Sequence, residues 1–184
     1  MDLAQVAALA ASQAIDRGIA VQDVDPHRIN YSFRTDPLLD GSAVEILVDN
    51  NDRDHVTAVG CWQICPDAKR AYGPDYSMAD PAGGDEFSMT FRPEDLSESD
   101  YNIYMYMPRL VSGQATVMSV EVCDGVSTTA VTVHPASEPV LGQTYGEWLS
   151  LGQFHCRPGT SVTVSQRGAN GIVVADAVLF VPVR

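Results

Sequence analysis

The chain has 184 residues, 45% of them hydrophobic, and a formal net charge of −13 at pH 7. That is enough for one domain with a packed core and a short appendage. So acidic a surface repels phosphate backbones and anionic lipid heads, which excludes nucleic acid and membranes as expected partners; no stretch reaches the roughly 18 apolar residues of a membrane span.

Residues 2–17 read as a helix, because Leu3, Val6, Ala7, Ala10 and Ala14 fall near a 3.6-residue period and Gly18 follows as a stop. The segment has no basic leader region and carries Asp2, Gln5 and Asp16, so it is not read as a signal peptide. Its alanine stripe buries little area alone and suits close packing against something larger. Residues 20–42, punctuated by Asp25-Pro26, Asp36-Pro37 and Asp40-Gly41, read as a connector.

From residue 43 the period changes to two. Segments 43–49, 55–62, 87–91, 101–107, 115–125, 126–135, 147–156, 160–166 and 171–183 read as strands, with a hairpin signal at Cys123-Asp124-Gly125-Val126. About nine short strands with no helix between them predict an all-β sandwich or barrel. Residues 63–86 read as one long irregular insertion. The expected division is a helix and connector over 1–42, the tail or remnant of a preceding domain, and a β-sandwich over 43–184.

Chemistry-bearing motifs are scarce. There is no GxGxxG, Walker-type loop, GxSxG elbow or HExxH, and the histidines at 27, 55, 134 and 155 are scattered singly. Nothing groups a nucleophile, a base and an oxyanion donor, so the chain is read as non-catalytic. Cys61 and Cys65 are separated by three residues, not the two of a redox CxxC. With His155 and Cys156 they form a conceivable metal set; the alternatives are buried free thiols or a local disulfide. In VDNNDRD (48–54), Asp49, Asp52 and Asp54 offer hard oxygen ligands for a structural calcium ion, without EF-hand spacing. The same cluster also reads as turn-capping.

The C-terminal half carries a resemblance. "YGEWLSLGQF" (145–154) followed by "GIVVADAVLF" (171–180) resembles the closing motifs of the golvesin and xanthan lyase carbohydrate-binding-like domain. "ILVDN" (46–50), "GCW" (60–62), "YGPDYSMA" (72–79), "DYNIYMYMP" (100–108) and "MSVEVCDGVSTTAVTV" (118–133) are similar to its successive strands in order. A shorter stretch, "AALAASQAIDRGIAVQDVD" (7–25), resembles the last helix and exit segment of the FAD-dependent oxidoreductase family.

The first resemblance implies a jelly-roll-like, galactose-binding-like sandwich, with ligand sites on end loops or on one concave sheet face. Sugar rings stack their C–H faces on Trp and Tyr while their hydroxyls meet polar side chains. Trp62 and Tyr76 are then candidate stacking residues, Asp75 a hydroxyl partner, and Tyr72 a further contact on the same insertion. Tyr104 and Tyr106 share one face of the 101–107 strand, opposite Ile103, Met105 and Met107; with the Met face as core they form an exposed stripe able to bind a saccharide or a neighbouring domain, and with the tyrosines as core the stripe vanishes. Trp148 is read as structural.

Asp176, inside an otherwise apolar run, is read as a buried carboxylate that accepts hydrogen bonds and ties a loop to the sheet. The implied partner is a polysaccharide or glycan, and the implied role an accessory module of a larger polysaccharide-active or flavin-dependent protein. The alternative is a docking domain at the end of a flavin oxidoreductase, with an exposed apolar patch on helix 2–17 facing a preceding domain.

Overall fold

Alternation of large apolar and small hydroxylated residues in segments such as FSMTF and SVTVS commits them to strands with one dry and one wet face. A computed structural model describes residues 3–24, 45–67, 70–83, 86–108, 112–135 and 148–183. All nine segments expected to be strands contain paired strands, and every named strand pairing is antiparallel.

Helix α1 spans Leu3–Arg17 and is followed by Gly18 at φ 61. Three sheets follow among the described residues. The first has the order β1 (Ile46–Asp49), β12 (Ala177–Pro182), β6 (Ser99–Tyr106) and β9 (Trp148–Cys156). The second has the order β2 (Val56–Val59), β5 (Ser88–Phe91), β10 (Ser161–Ser165), β7 (Met118–Cys123) and β8 (Thr128–Val133). A small third sheet joins β11 (Val173–Ala175), β4 (Tyr76–Ala79) and β3 (Gln63–Cys65). The described part of the chain is therefore a β-sandwich with a short N-terminal helix.

One core unites the sheets. Ile103, Met105, Val178 and Phe180 of the first sheet, Phe91, Val120 and Val162 of the second, and Val173 and Val174 of the third belong to a single buried cluster. Each large side chain removed from water contributes about 1.5–3 kcal/mol. A second cluster, Tyr72, Tyr106, Trp148, Ala177 and Leu179, covers the reverse face of the four-stranded sheet. Residues of β12 alternate between the two clusters, so that strand is buried on both faces.

Two expectations need correction. The 63–86 segment is not wholly irregular, since it contributes β3 and β4. The 171–183 run is not one strand. It leaves the third sheet at Ala175 and enters the first at Ala177, with Asp176 at the crossing. Val173, Val174 and Ala175 are all buried because that crossing lies inside the core. The connector beyond Val24 and residues 145–147 of the closing motif lie outside the described residues.

Candidate functional site

The outward face of the five-stranded sheet is built from what its core leaves over. Met89, Phe91, Val162, Val164, Val120 and Val122 turn inward, so Ser88, Thr90, Thr163, Ser165 and Glu121 turn outward. Register aligns these into rows across the strands. Thr57 lies opposite Thr90, Thr90 opposite Thr163, and Thr163 opposite Glu121. A second row places Val59 opposite Ser88 and Ser88 opposite Ser165. The hydroxyls of Thr90 and Thr163 are 3.0 Å apart, and Arg92 Nη1 donates to Thr57 Oγ1 at 3.0 Å.

A groove of about 300 Å³ crosses this face. Its floor draws on β2, β5, β10 and β7, through Val59, Ser88, Thr163, Ser165 and Glu121. Its walls are Glu86–Phe87 and Gln166–Arg167, which are joined where the Phe87 N–H donates to Gln166 Oε1 at 2.7 Å. Arg167 Nη1 donates to Glu121 Oε1, so one acid and the base of the groove neutralise each other.

Trp62 braces the wall. Its Nε1–H lies 3.2 Å from both the Val59 and Ser88 carbonyls, and its ring meets Phe87 edge-on at 5.1 Å between centroids. The ring stays half-buried. Gly60 makes the approach possible: at φ 78, an added Cβ would lie 2.4 Å from the Glu86 carbonyl oxygen.

The structure does not bring the other candidate ligand residues to this groove. Tyr72, Tyr76 and Tyr106 are 4%, 5% and 5% exposed, which corrects the expected stacking role of Tyr76 and the expected ligand contacts of Tyr72 and Tyr106: the rings are already covered. Tyr72, Tyr106 and Trp148 pack mutually edge to face at 5.2–5.4 Å. Burial raises the Tyr76 hydroxyl above its ordinary pKa. The choice between the two faces of β6 is also resolved differently, because Met105 and Met107 are core while the opposite face is covered too, leaving Tyr104 half-buried. Asp75 accepts Asn50 Nδ2 at 2.9 Å and Asn51 Nδ2 at 3.3 Å.

The calcium expectation is corrected as well. Asp49 Oδ1 accepts the Asn51 N–H at 3.0 Å, Asp52 Oδ2 lies 2.8 Å from His55 Nδ1, and Asp54 is exposed. No group of three His, Cys, Asp or Glu among the described residues is placed to hold a metal ion, which disposes of the Cys61, Cys65, His155, Cys156 set too. All four cysteines are free thiols, and only Cys156 is buried.

Asp176 is 1% exposed. Its Oδ2 accepts the Tyr72 N–H at 2.8 Å, and its carbonyl accepts the Asn50 N–H at 2.7 Å. Arg17, in the last turn of α1, donates to the neighbouring Ala71 carbonyl. On the exposed edge of the first sheet, His155 Nδ1 lies 2.7 Å from Asp100 Oδ1 and Nε2 lies 3.4 Å from Glu98 Oε1. These bonds, Asp100 first, raise the His155 pKa, while Arg157, 2.9 Å away, leads in lowering that of Glu98.

Residues 46–182 match the model of the golvesin C-terminal domain. The chain belongs to that family. A xanthan lyase of Bacillus sp. (strain GL1) is 32% identical over 143 residues, which are 75% of this chain and 15% of the lyase. A solved structure of a Paenibacillus xanthan lyase superposes with a TM-score of 0.65 at 29% identity, over 76% of this chain and 13% of that one. This chain thus spans a small fraction of the length of these relatives.

The golvesin match begins at Ile46, so helix α1 lies outside it and the flavoprotein resemblance of residues 7–25 gains nothing from it. The glycine of WLSLGQF (148–154) has a definite structural task here. Ile103 pairs with Gly152 and Tyr104 with Ser150, so Leu151 is an extra residue and β9 carries a bulge with Gly152 at φ 116. The bulge changes the phase of the strand. Leu149 and Leu151 face the core before it, and Phe154 and Cys156 face the core after it.

Sequence reading missed the groove residues of this golvesin domain, Ser88, Glu121, Thr163, Ser165, Gln166 and Arg167. Their alternation was visible, but the strand order that makes them neighbours was not.

Proposed function

We propose that this golvesin-type domain is a non-catalytic glycan-binding module, an accessory part of a polysaccharide-active protein, and that the groove on the five-stranded sheet is its binding face. The single observation that carries the reading is the groove itself. Hydroxyls of Ser88, Thr163 and Ser165 share its floor with the apolar Val59, and Trp62 holds one wall rigid. Polar groups at fixed spacing beside apolar surface suit a ligand that is itself hydroxyls on a C–H frame. Glu121 is engaged by Arg167, an arrangement that positions and does not exchange protons. The kinship with a segment of xanthan lyases supports the accessory role.

The docking alternative asks for a free apolar stripe on α1. Ala10 and Ala14 are buried and Arg17 donates to the Ala71 carbonyl, so the alanine stripe is covered, while Ile15 and Val21 stay exposed. Affinity electrophoresis through gels containing neutral and acidic polysaccharides tests the reading. We expect retardation by at least one polysaccharide, abolished in Thr163→Arg, which fills the groove floor from an outward-facing position. Retardation by none, or equal retardation of the variant, counts against it.

A further inference from the structure

We infer that the ligand of this groove is an uncharged glycan whose chain lies across the strands, in line with the row Val59, Ser88 and Ser165; this rests on the binding reading above. Direction comes from the floor. Val59, Ser88, Ser165 and Glu121 come from four successive strands, so the depression crosses the sheet from β2 to β7. Neighbouring strands are spaced by about 4.8 Å, close to the length that one hexose adds to an extended chain. Val59, Ser88 and Ser165 stand opposite one another at that spacing, so one apolar side chain and two donor–acceptor hydroxyls follow on successive strands. A chain along β10 would instead follow Ser161, Thr163 and Ser165, and Ser161 is not part of the groove.

Charge gives the class of ligand. The groove holds Glu86, Glu121 and Arg167, with Arg167 bonded to Glu121. The lining sets two carboxylates against one guanidinium, which is already paired with Glu121, so a uronate, sulfate or pyruvate group must share or displace that pair, and the whole chain carries −13. A polyanion would meet repulsion at long range and no unshared cation at short range. A neutral chain needs only the hydroxyl, amide and apolar groups present.

The test is affinity electrophoresis and titration calorimetry of the full chain with galactomannan, hydroxyethyl cellulose and pullulan as neutral probes, xanthan and alginate as anionic ones, and chitosan as a cationic one. We expect binding to a neutral probe with a Kd that changes less than about twofold between 50 and 500 mM salt, since no ion pair is available to be screened. Ser88→Ala and Thr163→Val, which remove a groove hydroxyl each, should each weaken binding by about fivefold or more, one or two hydrogen bonds' worth, and Ser161→Ala should leave it unchanged. Tighter binding to an anionic or cationic probe, lost in salt, overturns the inference while leaving the binding reading intact. Loss on Ser161→Ala without loss on Ser88→Ala overturns the chain direction. Binding to none of the probes overturns both. Matching melting temperatures of the variants separate lost contacts from lost folding.

Discussion

Asp176 is the most demanding residue of the chain, a carboxylate at the centre of the fold where β11 gives way to β12. Holding the Tyr72 N–H while its own carbonyl holds Asn50 lets it fasten two loops at the point where the chain changes sheet. Asp176→Ala leaves a buried donor without its acceptor, at about 1–3 kcal/mol. For a chain of this length we expect a melting temperature lower by about 3–10 °C, with glycan binding retained at low temperature. Unchanged stability with lost binding would make Asp176 a ligand contact. His155 illustrates the exposed counterpart. Its bonds to Asp100 and Glu98 favour the imidazolium, so its pKa lies above the ordinary 6.5. The stability it adds is therefore complete below pH 6.5 and fades as pH rises through the higher folded value. Proton NMR titration should find the His155 midpoint above 6.5 and return it towards 6.5 in Asp100→Asn; an unmoved midpoint refutes the pairing.

At the scale of elements, β9 is the most informative strand. A strict period of two cannot put Leu149, Leu151, Phe154 and Cys156 on one face, and the bulge at Gly152 is the device that does. Gly152→Val forces a β-branched residue to φ 116. Such strain costs about 1–3 kcal/mol, so thermal denaturation should shift down by about 2–10 °C. A variant as stable as the parent would mean that the bulge relaxes freely. Strand positions were readable because β-branched and aromatic residues alternate with polar ones. The pair β3 and β4 was not, because QIC and YSMA are too short to establish a period and sit among Pro, Gly and Asp. The break at Asp176 was hidden because the core covers both sides of the run.

For the molecule as a whole, sheet order turns separate strands into a surface. Each of VTAV, SMTF, MSVEVC and SVTVS announces its own polar face, yet nothing local says that β5 lies between β2 and β10, or β10 between β5 and β7. The aromatics that drew attention first, Tyr72, Tyr76 and Tyr106, went into packing, as large rings in small β-domains commonly do. Trp62, the one that adjoins the groove, supports it from behind. Glycan binding by the hydroxyl face of the five-stranded sheet is open to amide-resolved NMR during titration with the soluble neutral glycan that retards the protein. Shift changes should concentrate at Val59, Ser88, Thr163, Ser165, Gln166 and Arg167; changes centred on residues 49–52 and 72–76, with this face silent, would contradict it.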